Sequence, residues 1–285
     1  LAHHAAVKGR VVGIRMPPEE DSSEEPWIWA PSRKNKDALI PGKLPAKIDA
    51  VLCDQLFVPK NVLTPPLRNR LLRLAAFQNP EFYRAQAMRL PTYSKPRIIG
   101  CAENLPEHIA LPRGCVDDFR HTMRQNGIKF RVHDKRCRGT PLEIQFTGQL
   151  RDNQLEAKSA LLQHDFGVLA ATTAFGKTVL AAAIIAERGV NTLILVHRRQ
   201  LRDQWVQRLT EFLDLDKKEI GSLGAGRKKL KGKVDIAMLQ SLVRKQTVDD
   251  RIANYGQIIV DECHHVSARN FELAVRRAKA KFVLG

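Results

Sequence analysis

The segment Ala171-Thr172-Thr173-Ala174-Phe175-Gly176-Lys177-Thr178 sets a glycine, a lysine and a hydroxyl side by side, after an apolar run and before a helical one. That order suits a polyphosphate. Backbone N–H groups of the loop and of the following helix N-terminus can wrap the phosphates. Gly176 lets the backbone come close, Lys177 reaches the β- and γ-phosphates, and Thr178 offers a hydroxyl to Mg²⁺. Thr172, Thr173, Ala174 and Phe175 line the loop, while Ala171 stands where such loops usually carry glycine. Further along, Ile258-Ile259-Val260 runs into Asp261-Glu262-Cys263-His264. A buried strand ending in two acids fits a metal-holding carboxylate, Asp261, and a general base, Glu262, that orients and deprotonates a water. An acidic strand end alone would be ordinary. With a phosphate loop upstream, the pair describes nucleoside triphosphate hydrolysis, with Lys177, Asp261 and Glu262 as catalytic residues and Thr178 and Asp261 at the metal.

These residues need a scaffold that brings them together. From Leu150 onward, short apolar runs alternate with helical stretches. Gly167–Ala171, Thr192–Val196, Val234–Met238, Gln257–Val260 and Lys281–Leu284 read as strands, and Thr178–Arg188 and Arg198–Phe212 as helices. Apolar strands separated by helices imply a parallel, doubly wound α/β sheet. Such a sheet collects its chemistry at the carboxyl ends of the strands. A glycine- and lysine-rich stretch from Lys217 to Lys233 reads as a flexible basic loop, serving either a phosphate backbone or solubility.

Upstream the pattern differs. Residues 1–45 read as a flexible, disordered linker. Prolines recur from Pro17 to Pro45 beside Glu19, Glu20, Asp21, Glu24 and Glu25, with Trp27 and Trp29 as candidates for docking. Residues 46–146 read as a small α/β accessory domain. Its elements are a strand over Ile48–Leu52, a helix opened by Pro66 with Leu67, Leu71, Leu74 and Phe77 on one face, and a strand over Arg97–Cys101. A helix from Gly114 to Asn126, closed by Gly127, and a strand from Ile128 follow. Arg68, Arg70 and Arg73 lie off the apolar stripe, on a solvated face or against a nucleic-acid backbone.

The charge balance favours a polyanion. Lys and Arg number 47 against 30 Asp and Glu, a net charge of +17. No apolar run is long enough to span a bilayer and no signal-peptide pattern opens the chain, so a cytoplasmic protein is expected with no membrane partner. The five cysteines form no CxxC pair, which argues against a zinc ribbon and suits reduced thiols.

The order Leu150-Arg151-x-x-Gln154, then Ala171-x-x-x-x-Gly176-Lys177-Thr178, then Asp261-Glu262-x-His264 resembles the first motor domain of superfamily 2 helicases, a RecA-like fold. Leu195-Val196-His197-Arg198-Arg199-Gln200-Leu201-x-x-Gln204-Trp205 is similar to that superfamily's motif Ia, and Met238-Leu239-Gln240-Ser241-Leu242 to a later strand-end motif of the XPB-like and restriction-translocase branch. The likeness covers residues 147–285. Ala75 to Tyr83 and Leu111 to Cys115 resemble the helicases of TOTE conflict systems, where a primase-like domain lies upstream.

The resemblance implies ATP and Mg²⁺ as cofactors and nucleic acid as partner, DNA in preference to RNA. By it Gln154 contacts adenine, and Arg198, Arg199, Gln240 and Ser241 face nucleic acid. His264 couples the nucleotide state to that face, and His265 is structural. It also implies a second RecA-like domain, carrying an arginine finger, that these 285 residues do not include, so the chain alone is expected to bind ATP weakly and hydrolyse it poorly. Competing readings are a restriction-type motor fragment, a non-catalytic nucleic-acid-binding fragment and a small-molecule kinase. The acid pair and the charge speak against the kinase.

Overall fold

The computed structural model describes residues 6–7, 10–11, 39–172, 174–224, 227–244, 247–263 and 269–285. It divides into two compact units, Leu1–Lys135 and Arg136–Gly285.

The first unit begins with β1 (Lys47–Leu52), β2 (Leu56–Pro59), α1 (Pro65–Leu74), β3 (Ala76–Gln78) and α2 (Pro80–Ala87). It continues through β4 (Ile98–Gly100), β5 (Glu103–Asn104), β6 (His108–Leu111), α3 (Val116–Gln125) and β7 (Lys129–Asp134). One sheet runs β5-β6-β2-β1-β7, with β1 and β7 parallel and the other neighbours antiparallel. Alternate residues Ile48, Ala50 and Leu52 of β1 are buried, the period of a strand with one face on a core. They meet Leu67 and Leu71, one helical turn apart on α1, and Phe119 and Met123 on α3.

Two expectations change here. Phe77, assigned by spacing to the stripe of α1, lies in β3 instead. The helix ends at Leu74 because the chain turns at Ala75, whose carbonyl accepts the Cys101 N–H at 2.7 Å, and β3 then pairs with β4. The end of the expected linker is packed: Ile40 is buried in the core and its N–H donates to Asn126 Oδ1 at 2.8 Å. Trp27 and Trp29 lie outside the described residues.

The second unit contains α4 (Asp152–Leu162), β8 (Phe166–Gly167), α5 (Lys177–Arg188), β9 (Thr192–Val196), α6 (Arg199–Phe212) and β10 (Gly221–Gly224). After these come β11 (Arg227–Lys229), β12 (Val234–Met238), α7 (Leu239–Leu242), β13 (Gln257–Val260), α8 (Arg269–Arg277) and β14 (Phe282–Leu284). They build a sheet in the order β8-β14-β13-β9-β12-β10-β11, parallel throughout except for β11. The apolar strands are continuous because both faces are covered. Ile194 and Val196 of β9 pack with Leu180, Ile184, Trp205 and Leu209 of α5 and α6. Leu193 and Leu195 face the other way, toward Leu239, Leu242 and Ala274.

The stretch read as a flexible basic loop supplies β10 and β11. Gly221 sits where any side chain would collide with the Asp235 carboxylate of neighbouring β12, so a glycine is what lets this strand join the sheet. Residues 136–146, placed by sequence with the accessory domain of residues 46–146, group by contacts with the second unit. They run along the second unit through bridges Cys137 to Ala280, Pro141 to Val190 and Phe146 to Leu213, and Arg136 pairs with Asp165 at 2.9 Å. Among the described residues, no helix is long and apolar enough to cross a membrane.

Candidate nucleotide site

Because the strands are parallel, the loop after β8, His197–Arg199 after β9, Gln240–Ser241 after β12 and Asp261–Glu262 after β13 all leave the sheet at one edge. The phosphate loop is held in an unusual backbone. Ala174 has φ +65° and Gly176, the residue before α5, has φ +88°. A side chain at Gly176 would also sit 2.5 Å from Gln154 Nε2, so both conformation and space require glycine.

Two residues at the start of α4 hold this shape. The Gln154 amide donates to the Phe175 carbonyl at 2.7 Å, and the Arg151 guanidinium donates to the same oxygen at 2.5 Å. Gln154 Oε1 in turn accepts the Arg151 backbone N–H at 2.9 Å. In a trans peptide the N–H points opposite to the carbonyl. With the Phe175 carbonyl drawn toward α4, the Gly176 N–H faces away from it. Gln154 is buried, whereas Lys177 is exposed and Thr178 half-buried.

The acids are positioned as firmly. The Asp261 N–H donates to the Leu195 carbonyl at 3.1 Å, prolonging the β9–β13 ladder by one step. Asp261 Oδ2 accepts the Trp205 indole N–H at 2.7 Å. Glu262 turns out of the strand with φ +54°, a left-handed backbone that costs about 1–2 kcal/mol for a residue with a side chain. Neighbouring Cys263 reports the convergence: burial raises its thiol pKa first, Glu262 and Asp261 push in the same direction, and the Lys177 ammonium pulls it down. His264 and His265 lie outside the described residues, as does Thr173.

Residues 147–285 match the family described as "Type III restriction enzyme, res subunit". A putative DNA 3′-5′ helicase Rad25 of Haloarcula marismortui is 30% identical over 223 residues, covering 70% of this chain and 36% of its own. A DNA 3′-5′ translocase XPB2 of Sulfurisphaera tokodaii is 31% identical over 137 residues, covering 48% of this chain and 30% of its own. The chain thus spans about a third of the length of these curated relatives. In fold it is similar to the UvsW helicase of bacteriophage T4, with TM-score 0.60 and 16% identity over 84% of this chain and 91% of that one. Residues 147–285 are a superfamily 2 first motor domain.

The other motif residues of this motor domain share its edge. Arg198 and Arg199 are exposed where β9 passes into α6. Gln240 Nε2 donates to the His197 carbonyl at 3.1 Å, which ties the end of β12 to the end of β9. Ser241 lies against Gly224, the last residue of β10, where an added Cβ would be 2.8 Å from the Ser241 hydroxyl. Three residues given no role from sequence support the edge from behind. Arg151 braces the loop and Trp205 fixes Asp261. Arg202, buried on α6, donates to the Gly224 carbonyl at 3.0 Å. Trp205 and Arg202 stand on the inward face of α6, so helical spacing alone reads them as packing.

Proposed function

We propose that this chain is the ATP-binding half of a nucleic-acid translocase or helicase. The reading rests on one observation above all: Lys177, which opens α5 after the loop behind β8, and Asp261 and Glu262, which follow β13, lie at the same carboxyl edge of a parallel sheet. In this reading Lys177 and the loop N–H groups grip the β- and γ-phosphates, and Glu262 takes the proton of the attacking water. The hydroxyl of Thr178 and the carboxylate of Asp261 form a hard oxygen donor set suited to Mg²⁺. A Mg²⁺ held by these two residues would supply charge neutralisation for the bound polyphosphate. With Oδ2 occupied by Trp205, Asp261 presents Oδ1. Gln154 braces the loop with one amide hydrogen and keeps a second for an adenine edge. Arg198, Arg199, Gln240 and Ser241 contact the nucleic-acid backbone, DNA in preference to RNA, in keeping with the names of the two cellular relatives. The γ-phosphate is completed by a second motor half with an arginine finger, an element worth about 10³–10⁵ in rate in related phosphate-loop enzymes.

The test is ATP turnover with and without single-stranded and duplex DNA, for this chain and for a chain extended through a second motor half. Turnover by the extended protein alone, stimulated by nucleic acid and lost in Lys177→Ala, is the expected result. Hydrolysis by the extended protein that ignores nucleic acid would contradict it. The family description favours a second reading, the motor of a restriction system. Cleavage of duplex DNA by the extended protein would select that one.

A further inference from the structure

Among the described residues, seven large apolar side chains are exposed, and four of them fall between Met88 and Ile98 of the first unit. Tyr93 is 94% exposed, Met88 60%, Ile98 59% and Leu90 54%. Exposed apolar groups scattered singly need no explanation, but these four share one short segment of chain. This stretch is also fixed in place. Asn79 is buried at the start of α2. Its Oδ1 accepts the Glu81 N–H at 3.0 Å, its Nδ2 donates to the Pro96 carbonyl at 2.8 Å and its N–H donates to the Arg97 carbonyl at 3.0 Å. The base of the segment is therefore closed while its side chains face outward. Burial of its own surface is not what the segment is built for.

The charges select the occupant. Between Phe82 and Ala102 there are four cations, Arg84, Arg89, Lys95 and Arg97, and no acid. Arg89 has φ +55° where a helix normally ends in glycine. Among the described residues, the other two with side chains and positive φ, Ala174 and Glu262, belong to the candidate nucleotide site. Backbone strain of this kind collects at functional positions. The Arg97 guanidinium donates to the Tyr83 hydroxyl at 3.1 Å, which holds a cation beside an aromatic ring. Cations interleaved with an exposed aromatic face form a binding site for single-stranded nucleic acid, where phosphates meet the cations and a base stacks on the ring.

We infer that residues 88–98 are a second nucleic-acid contact, which takes a single strand with a base on Tyr93 and phosphates on Arg89, Lys95 and Arg97. A duplex keeps its bases stacked on one another, so the ring selects unpaired strands. The inference rests on the nucleic-acid motor reading but uses none of the residues at the sheet edge.

The experiment measures binding of a short fluorescent oligo-dT strand and of a matched duplex to the whole 285-residue chain across a salt series. Tyr93→Ala, Tyr93→Phe, the pair Arg89→Ala with Lys95→Ala, and the pair Arg198→Ala with Arg199→Ala are compared, with thermal melting as the check on folding. Tyr93→Ala is expected to weaken strand binding roughly 5–150-fold at an unchanged salt slope, the scale of one base–aromatic stack. Tyr93→Phe is expected to retain it. The Arg89 and Lys95 pair should lower the salt slope by about 0.7 for each phosphate that is no longer neutralised. Wild-type affinity in Tyr93→Ala overturns the inference. If the Arg198 and Arg199 pair abolishes binding at the same time, the motor reading stands without it. Loss only in Tyr93→Ala upholds the surface and counts against the sheet edge. Self-association that Tyr93→Ala abolishes, with strand binding intact, makes the surface a protein interface and overturns the inference.

Discussion

At the amino ends of the central strands of the second unit, Asn191 is buried. Its Oδ1 accepts the N–H groups of Thr140 and Gly256 at 2.9 and 3.0 Å, and its Nδ2 donates to the Asn254 carbonyl at 3.0 Å. At the carboxyl ends of the same strands, Lys177, Arg198, Arg199 and Gln240 stand exposed, and Ala174, Gly176 and Glu262 hold left-handed backbone. At the first edge Asn191 satisfies its own polar groups internally and ties residues 136–146 to the sheet. The second leaves charges facing solvent on a scaffold fixed from behind by Arg151, Trp205 and Arg202. The contrast follows from parallel topology, which sends the positively polarised helix starts to the carboxyl edge. An anion-binding site and a stabilising clamp can therefore be altered separately.

The largest effect should come from the loop lysine. Lys177→Ala is expected to lower nucleotide affinity or turnover by about 10²-fold or more, the scale of losing a preorganised charge on a reacting oxygen. Its urea midpoint should match wild type, because Lys177 is exposed. Asn191→Ala should do the reverse. Removing three hydrogen bonds at a buried position is expected to cost about 2–3 kcal/mol in urea unfolding, while the nucleotide affinity of the folded fraction stays the same. An Asn191→Ala chain that keeps its stability but loses nucleotide would erase the distinction between the edges.

Trp205→Phe removes one N–H and keeps most of the ring. Losing a group that orients a metal-bound carboxylate typically costs 10–100-fold in metal affinity. The expected result is a shift of that size in the Mg²⁺ concentration needed for nucleotide binding, with metal-free nucleotide binding little changed. Equal Mg²⁺ dependence would reduce Trp205 to core packing. The smallest effect belongs to Arg198→Ala or Arg199→Ala, each of which should reduce the salt slope of nucleic-acid binding by about one and leave nucleotide affinity alone.

That these motif residues share one edge was readable from residue order, because parallel strands separated by helices bring their carboxyl ends together. Strands β9, β12 and β13 have the bounds that their apolar runs indicated, since burial on both faces writes itself as an unbroken run. The edge strand β10 was hidden: Gly221-Ser222-Leu223-Gly224 has no such run, and its glycine answers to the Asp235 carboxylate, which is distant in sequence. Phe77 misled for a related reason. Spacing continues the stripe of α1, while pairing of β3 with β4 ends the helix. The bracing residues were illegible as such. Trp205 and Arg151 act through contacts with residues 56 and 24 positions away, and nothing local marks those partners. The coupling role expected of His264 concerns a residue outside the described ones.

In the proposed function, the carboxyl edge of this sheet binds Mg-ATP through Lys177. The most direct test is isothermal titration of the 285-residue chain and of Lys177→Ala with a non-hydrolysable ATP analogue, with and without Mg²⁺. A single Mg²⁺-dependent site is expected in the wild type, lost in Lys177→Ala at unchanged melting temperature. No binding by a folded wild-type chain, or equal binding by the variant, would contradict it.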